Sequence, residues 1–233
     1  MSDFTLYYWP LPFRGQFVRA LLAHAGARWD EPGPEAVAAL KDRAVGDQPV
    51  PLMAPPVLID HAAGVSLAQM PAILAWLGTR FALLPRAPGP AALTHKIVAD
   101  ANDVLDEMTR FGGRSMWTRP EWDSFAAHRL RRWMAIFEET GRRHGLTPHG
   151  GHILGGDAPG LADLVSATLW FTMTDKLAPL AGLLAAEAPA IAAHGARIMN
   201  LPPLAALRAQ TDARFGALWC GGQIEASIRE MLG

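Results

Sequence analysis

The chain has 233 residues, half of them hydrophobic and 18% charged, with a mean hydropathy of +0.11; it is too apolar for a disordered chain and too interrupted for a membrane one. At roughly 150 residues per domain it holds one large domain or two small ones. Lys plus Arg number 21 and Asp plus Glu 22, so no bulk positive field gathers phosphate backbones, and no nucleic-acid partner is expected.

A single cysteine, Cys220, excludes an internal disulfide, a CxxC pair and a Cys-only zinc site. The N-terminal MSDFTLYYW lacks a basic segment followed by a long apolar one. With the cysteine usage, this leads us to expect a cytoplasmic protein without membrane attachment.

In chain order, the β-branched and aromatic run FTLYYW over residues 4–9 predicts a strand, stopped by Pro10 and Pro12. Phe17, Val18, Leu21 and Leu22 recur at helical spacing within residues 14–24, and Gly26 follows where a helix ends. A helix over about 34–44 opens on Pro34. The turn-rich GDQPVPLMAPP then feeds a strand at 57–60, a short partner strand at 64–67 and a proline-led helix over 71–76 ending at Gly78. Residues 86–93, with Pro88 and Pro90, read as a linker.

Beyond the linker only helical signals remain. Leu93, Ile97, Val98, Ala101, Val104, Leu105 and Met108 form one amphipathic stripe. A second helix is expected over about 122–143. A third, starting near Leu161 and apolar almost all round, is expected at the centre of a bundle. The prediction is an α/β unit at 1–82 and an all-helical domain at 91–233.

Four junctions resemble the glutathione transferases. They are Tyr8-Trp9-Pro10 followed by Arg14-Gly15 and Arg19; Pro55-Pro56-Val57-Leu58; Gln69-Met70-Pro71; and GDAPGLADL over residues 156–164. The resemblance spans nearly the whole chain and implies a thioredoxin-like N-terminal domain carrying a glutathione site, an all-α C-terminal domain with an apolar substrate pocket, glutathione as co-substrate, no metal, and a homodimer working in detoxification. The absence of an N-terminal cysteine argues against the thiol-transferase branches.

The resemblance assigns Tyr8 as catalytic, its phenol donating to the glutathione sulfur near the N-terminus of the following helix. Tyr7 and Tyr8 point to opposite faces of a strand, so one is core and the other faces the site. Phe13 and Arg14 share the turn, which is two residues longer than in the tyrosine-type classes, and are further binding candidates. Pro56 resembles the family's cis proline. Pro55 sits where the family pairs its backbone with the cysteinyl residue, and it lacks the N–H for one of those bonds.

Gln69 and Met70 occupy the place of a Gln-Ser pair that holds the γ-glutamyl carboxylate at a helix start; Met70 keeps the N–H without the hydroxyl. Asp103, between Asp100 and Asp106 on one helix face, matches an aspartate that reaches across the dimer interface to the glutathione amino group. Phe111 with Met116, Trp117 and Trp122 is expected to line an apolar pocket where the domains meet. Asp163 is read as a helix cap. HGGH at 149–152 lacks the Lys-Ser/Thr of a phosphate loop and makes an incomplete zinc site.

Three functional readings stay open: addition of activated glutathione to an apolar electrophile, a transferase-like binding module without catalysis, and a glutathione-dependent peroxidase or isomerase.

Overall fold

A computed structural model describes residues 2–233. Strand β1 (Phe4–Tyr7), helix α1 (Arg14–His24) and the two-residue strand β2 (Trp29–Asp30) open the chain, followed by α2 (Pro34–Lys41), β3 (Val57–Asp60), β4 (Val65–Ala68) and α3 (Met70–Arg80). The sheet order is β2-β1-β3-β4. β1 runs parallel to β2 and antiparallel to β3, and β3 is antiparallel to β4. This is the mixed four-stranded sheet of a thioredoxin-like unit. Phe4, Leu6 and Leu58 bury their side chains against Phe17, Val18, Leu21 and Leu22 of α1 and Ile73, Leu74 and Leu77 of α3.

Element types follow the sequence, and boundaries move for identifiable reasons. β2 carries no strand signal of its own at two residues; its pairing of Phe4 with Trp29 creates it. The expected linker at 86–93 is shorter, because α4 (Pro88–Met108) begins at Pro88. Both prolines lie in its first turn, where the N–H that proline lacks has no intrahelical partner.

α5 (Arg110–Gly113) is one irregular turn in which Arg110, Phe111, Gly112 and Gly113 all have positive φ. The expected helix at 122–143 is three pieces: α6 (Arg119–Ser124), capped by Thr118 and Glu121, a π-helical turn at Phe125–Leu130, and α7 (Arg131–Arg143). Then come α8 (Leu161–Lys176), α9 (Pro179–Glu187), α10 (Pro189–Met199), α11 (Pro202–Phe215) and α12 (Gly222–Leu232). Among the described residues every named strand lies before position 69.

α8 is the axis of the helical domain, buried from Leu161 through Trp170 without a break. Its position is fixed against the sheet domain by the Leu161 N–H, which donates to the Leu83 carbonyl at 2.9 Å. α1 is fastened to the helical domain by Gln16, whose buried amide donates to Thr211 Oγ1 at 3.0 Å, and by the ion pair of Arg14 with Asp106 on α4. Phe13 lies edge-on to Trp219, ring centroids 5.1 Å apart, so the segment between α11 and α12 covers the turn after β1. No helix of the described residues is long and apolar enough to cross a membrane.

Candidate active site

Strand register assembles the site. Tyr7 pairs with Val57, and Val57 pairs with Ala68. Because both pairings are antiparallel, Tyr8, Pro56 and Gln69 are neighbours at one end of the sheet, each one position beyond those pairs. Residues 61 positions apart are thereby brought to one edge, beside the N-terminus of α1.

Tyr8 is buried at 5% exposure, while Tyr7 is half-buried. The Tyr8 ring lies directly on Gly15: a β-carbon built there would collide with the Tyr8 Cγ and Cδ1 atoms. Burial pushes the phenol up to about 12; the Arg14 charge, the backbone N–H groups of Arg14 and Gly15, and the Arg19 charge oppose that rise without cancelling it. At neutral pH the group is a protonated phenol, a donor, in a positive local field.

Arg19 locks the turn. Its buried guanidinium donates to Glu31 at 2.9 and 2.7 Å and to the carbonyls of Leu11 and Trp9 at 2.9 and 3.3 Å. Its carbon stands 5.7 Å from the Tyr8 ring centroid and 5.1 Å from that of Phe215. Arg14 stacks on Phe13, 4.9 Å from its ring centre.

The Pro55–Pro56 bond is cis. Gln69, exposed, has φ 71° and ψ 119° at the start of α3, a conformation sparsely populated by non-glycine residues, and its side chain makes no capping hydrogen bond. The Gln69 side chain is therefore exposed and uncommitted at the sheet end. Met70 is different: the residue is 1% exposed and its side chain lies in the core.

On α4 four carboxylates lie close together. Lys96 pairs with Asp100, Arg14 with Asp106 and Arg129 with Glu107. Asp103, exposed, has no ion-pair partner among the described residues. Partial burial and the charges of Asp100, Asp106 and Glu107 hold its carboxyl above the ordinary value.

Phe111 is exposed on its strained turn and lines a cleft of about 690 Å³ with Trp117, Phe125 and Arg110. Every lining residue of this cleft lies within 107–129, all in the helical domain. Trp122 is buried beneath the cleft, edge-on to Trp117 at 5.3 Å. Met116, also expected there, is not among the lining residues.

Sequence reading missed Asp106 as the Arg14 partner, Trp219 as the cover on Phe13, and Gly15 as the seat of Tyr8. All three depend on tertiary neighbours. Only Asp106 left a trace, as a member of the acidic face.

A thioredoxin-like sheet with a phenol, a cis proline and a helix start at one end, joined to an all-helical domain, defines the two-domain glutathione-transferase fold. Residues 93–231 match the family model of the glutathione S-transferase C-terminal domain, and the chain belongs to the glutathione S-transferase family. No curated protein matches it.

Among solved structures, it resembles a Pi-class glutathione S-transferase of Onchocerca volvulus (18% identity, TM-score 0.73, covering 94% of this chain and 98% of that one). It also resembles NaGST-2 (20%, 0.68, 90% and 97%) and prostaglandin synthase D of Nilaparvata lugens (15%, 0.70, 89% and 98%). At these identities the likeness is one of fold.

Proposed function

We propose that the chain is an enzyme that binds glutathione at the sheet end, holds its sulfur as a thiolate with the Tyr8 phenol, and adds it to a small apolar electrophile. The observation that carries this reading is the Tyr8 phenol, protonated and seated on Gly15 at the start of α1. A free thiol of this kind titrates near 8.5. One charge-assisted hydrogen bond of roughly 1.5–3 kcal/mol to the thiolate lowers that by about one to two units. The N-terminal end of α1 and the Arg14 cation act in the same direction.

In this reading Gln69 and the backbone of Met70 hold the γ-glutamyl carboxylate, Pro55 and Pro56 border the cysteinyl backbone, and Arg14 and Phe13 flank the sulfur. Asp103 takes the amino group from across a homodimer interface, and Phe111 contacts the electrophile. The setting is a cytoplasmic one, in detoxification, and the site needs no metal. Tyr8→Phe is expected to cut conjugation of a chlorinated nitrobenzene at neutral pH tenfold or more, with Tyr7→Phe close to wild type. Equal rates in wild type and Tyr8→Phe would place the donor elsewhere.

Two features favour a second reading, a binding module of the same fold. Pro55 offers no N–H to the cysteinyl backbone, and Met70 offers no hydroxyl to the γ-glutamyl group. No retention on immobilised glutathione and no turnover of any electrophile is the outcome that reading predicts; retention with specific elution by free glutathione would exclude it.

A further inference from the structure

Away from the sheet end, the fold gathers three side chains that sequence keeps apart. His152 comes from the loop before α8, Asp163 from the first turn of α8 and His194 from α10. Their potential donor atoms lie within 4.8 Å of one another. His194 Nε2 is 2.8 Å and His152 Nδ1 3.3 Å from the same oxygen, Oδ1 of Asp163. Two ligands at about 2.1 Å from a tetrahedral ion stand about 3.4 Å apart, so the His194 contact opens by about 0.6 Å to reach that spacing.

The carboxylate is held in place. Its Oδ1 accepts the Ile153 N–H and its Oδ2 the Gly160 N–H, each at 2.9 Å, the kind of outer bonding that orients ligating carboxylates. His152 Nδ1 is buried yet has no hydrogen-bond partner, although it sits beside that oxygen. His194 is fully buried, and the His152 side chain is 18% exposed.

We propose that His152, Asp163 and His194 form a three-ligand site for a divalent transition-metal ion of the zinc class. Two imidazoles and one carboxylate suit a borderline ion rather than calcium or magnesium, which take oxygen ligands, and a tetrahedral ion held by three protein ligands takes a water as the fourth. Occupation ties the 144–156 loop to α8 and α10. The site is independent of the thiol chemistry proposed for the sheet end.

The test is titration of zinc chloride into the metal-free full chain. One saturable ion per chain is expected, with a rise in melting temperature. His152→Gln is expected to weaken binding at least tenfold, and His149→Gln, in the same loop but exposed, to leave it unchanged. Should His152→Gln fail to fold, imidazole resonances of the wild type decide: one equivalent of zinc should shift those of His152 and His194. No saturable zinc, full binding in His152→Gln, loss in His149→Gln instead, or shifts confined to other histidines would overturn the proposal.

Discussion

Tyr8 keeps its place because residue 15 has no side chain. Alternation along β1 makes Tyr7 and Tyr8 legible from sequence as opposite-facing, and the structure separates them into a half-buried and a buried ring. That Gly15 is the surface beneath Tyr8 was not legible, because glycine at the second position of a helix carries no local signal. The consequence is testable without touching the phenol. Ala ordinarily stabilises a helix interior by roughly 0.5–1 kcal/mol over Gly, but Gly15→Ala must push the Tyr8 ring aside. Conjugation by this variant should fall as far as in Tyr8→Phe, and its melting temperature should drop rather than rise. A rise in melting temperature with full turnover would contradict the placement of Tyr8.

Pro55, Pro56, Gln69 and Met70 were legible for the opposite reason. Each lies beside a short strand, and proline and helix-start chemistry mark those places locally. Asp106 and Trp219 reach the site only through packing of α4 and of the α11–α12 segment, so nothing in their own neighbourhoods distinguishes them. His194 lies 31 residues from Asp163, and the HGGH loop taken alone therefore looks incomplete.

At the scale of elements, helix type was legible and helix ends were not. Proline signals a break and a first turn equally well, and Pro88 and Pro90 serve as the latter in α4. The start of α12 shows a cap built at long reach. Glu225, in its first turn, accepts the N–H groups of Trp219, Cys220 and Gly221 at 2.9, 2.9 and 2.6 Å, and Arg229 closes on its other oxygen at 2.9 and 2.7 Å. Burial raises its carboxyl; the Gly221 and Trp219 N–H groups and Arg229 overcome that and hold it below the ordinary value.

The same environment, burial first and the Glu225 charge second, pushes the Cys220 thiol up to about 12 and keeps it unreactive at neutral pH. A carboxyl lowered on folding stabilises above its unfolded value of about 4.3, and that stability is lost as pH falls through the folded value. Glu225→Gln should therefore cost roughly 1–3 kcal/mol at neutral pH. Its difference from wild type in urea unfolding should shrink below about pH 4; a constant difference down to pH 3 would argue against the cap.

For the whole molecule, the division into an α/β unit and a helical bundle follows from the disappearance of strand signals beyond the linker, and among the described residues the last named strand ends at Ala68. Assembly is a matter of charge as well as fold. The net charge of −1 gives little repulsion between copies, and Asp103 has no cation partner among the described residues. Sedimentation at micromolar concentration should show twice the 25.1 kDa mass, and Asp103→Asn should weaken glutathione binding without dissociating the dimer. A monomer would remove Asp103 from the site.

The central claim, that Tyr8 holds the glutathione sulfur as a thiolate, is tested most directly by following thiolate absorbance of the enzyme–glutathione complex against pH. The wild type should titrate about one to two units below free glutathione, and Tyr8→Phe should return most of that shift while its glutathione affinity stays nearly constant, since the phenol touches the sulfur alone. Superimposable titrations for wild type and Tyr8→Phe would contradict it.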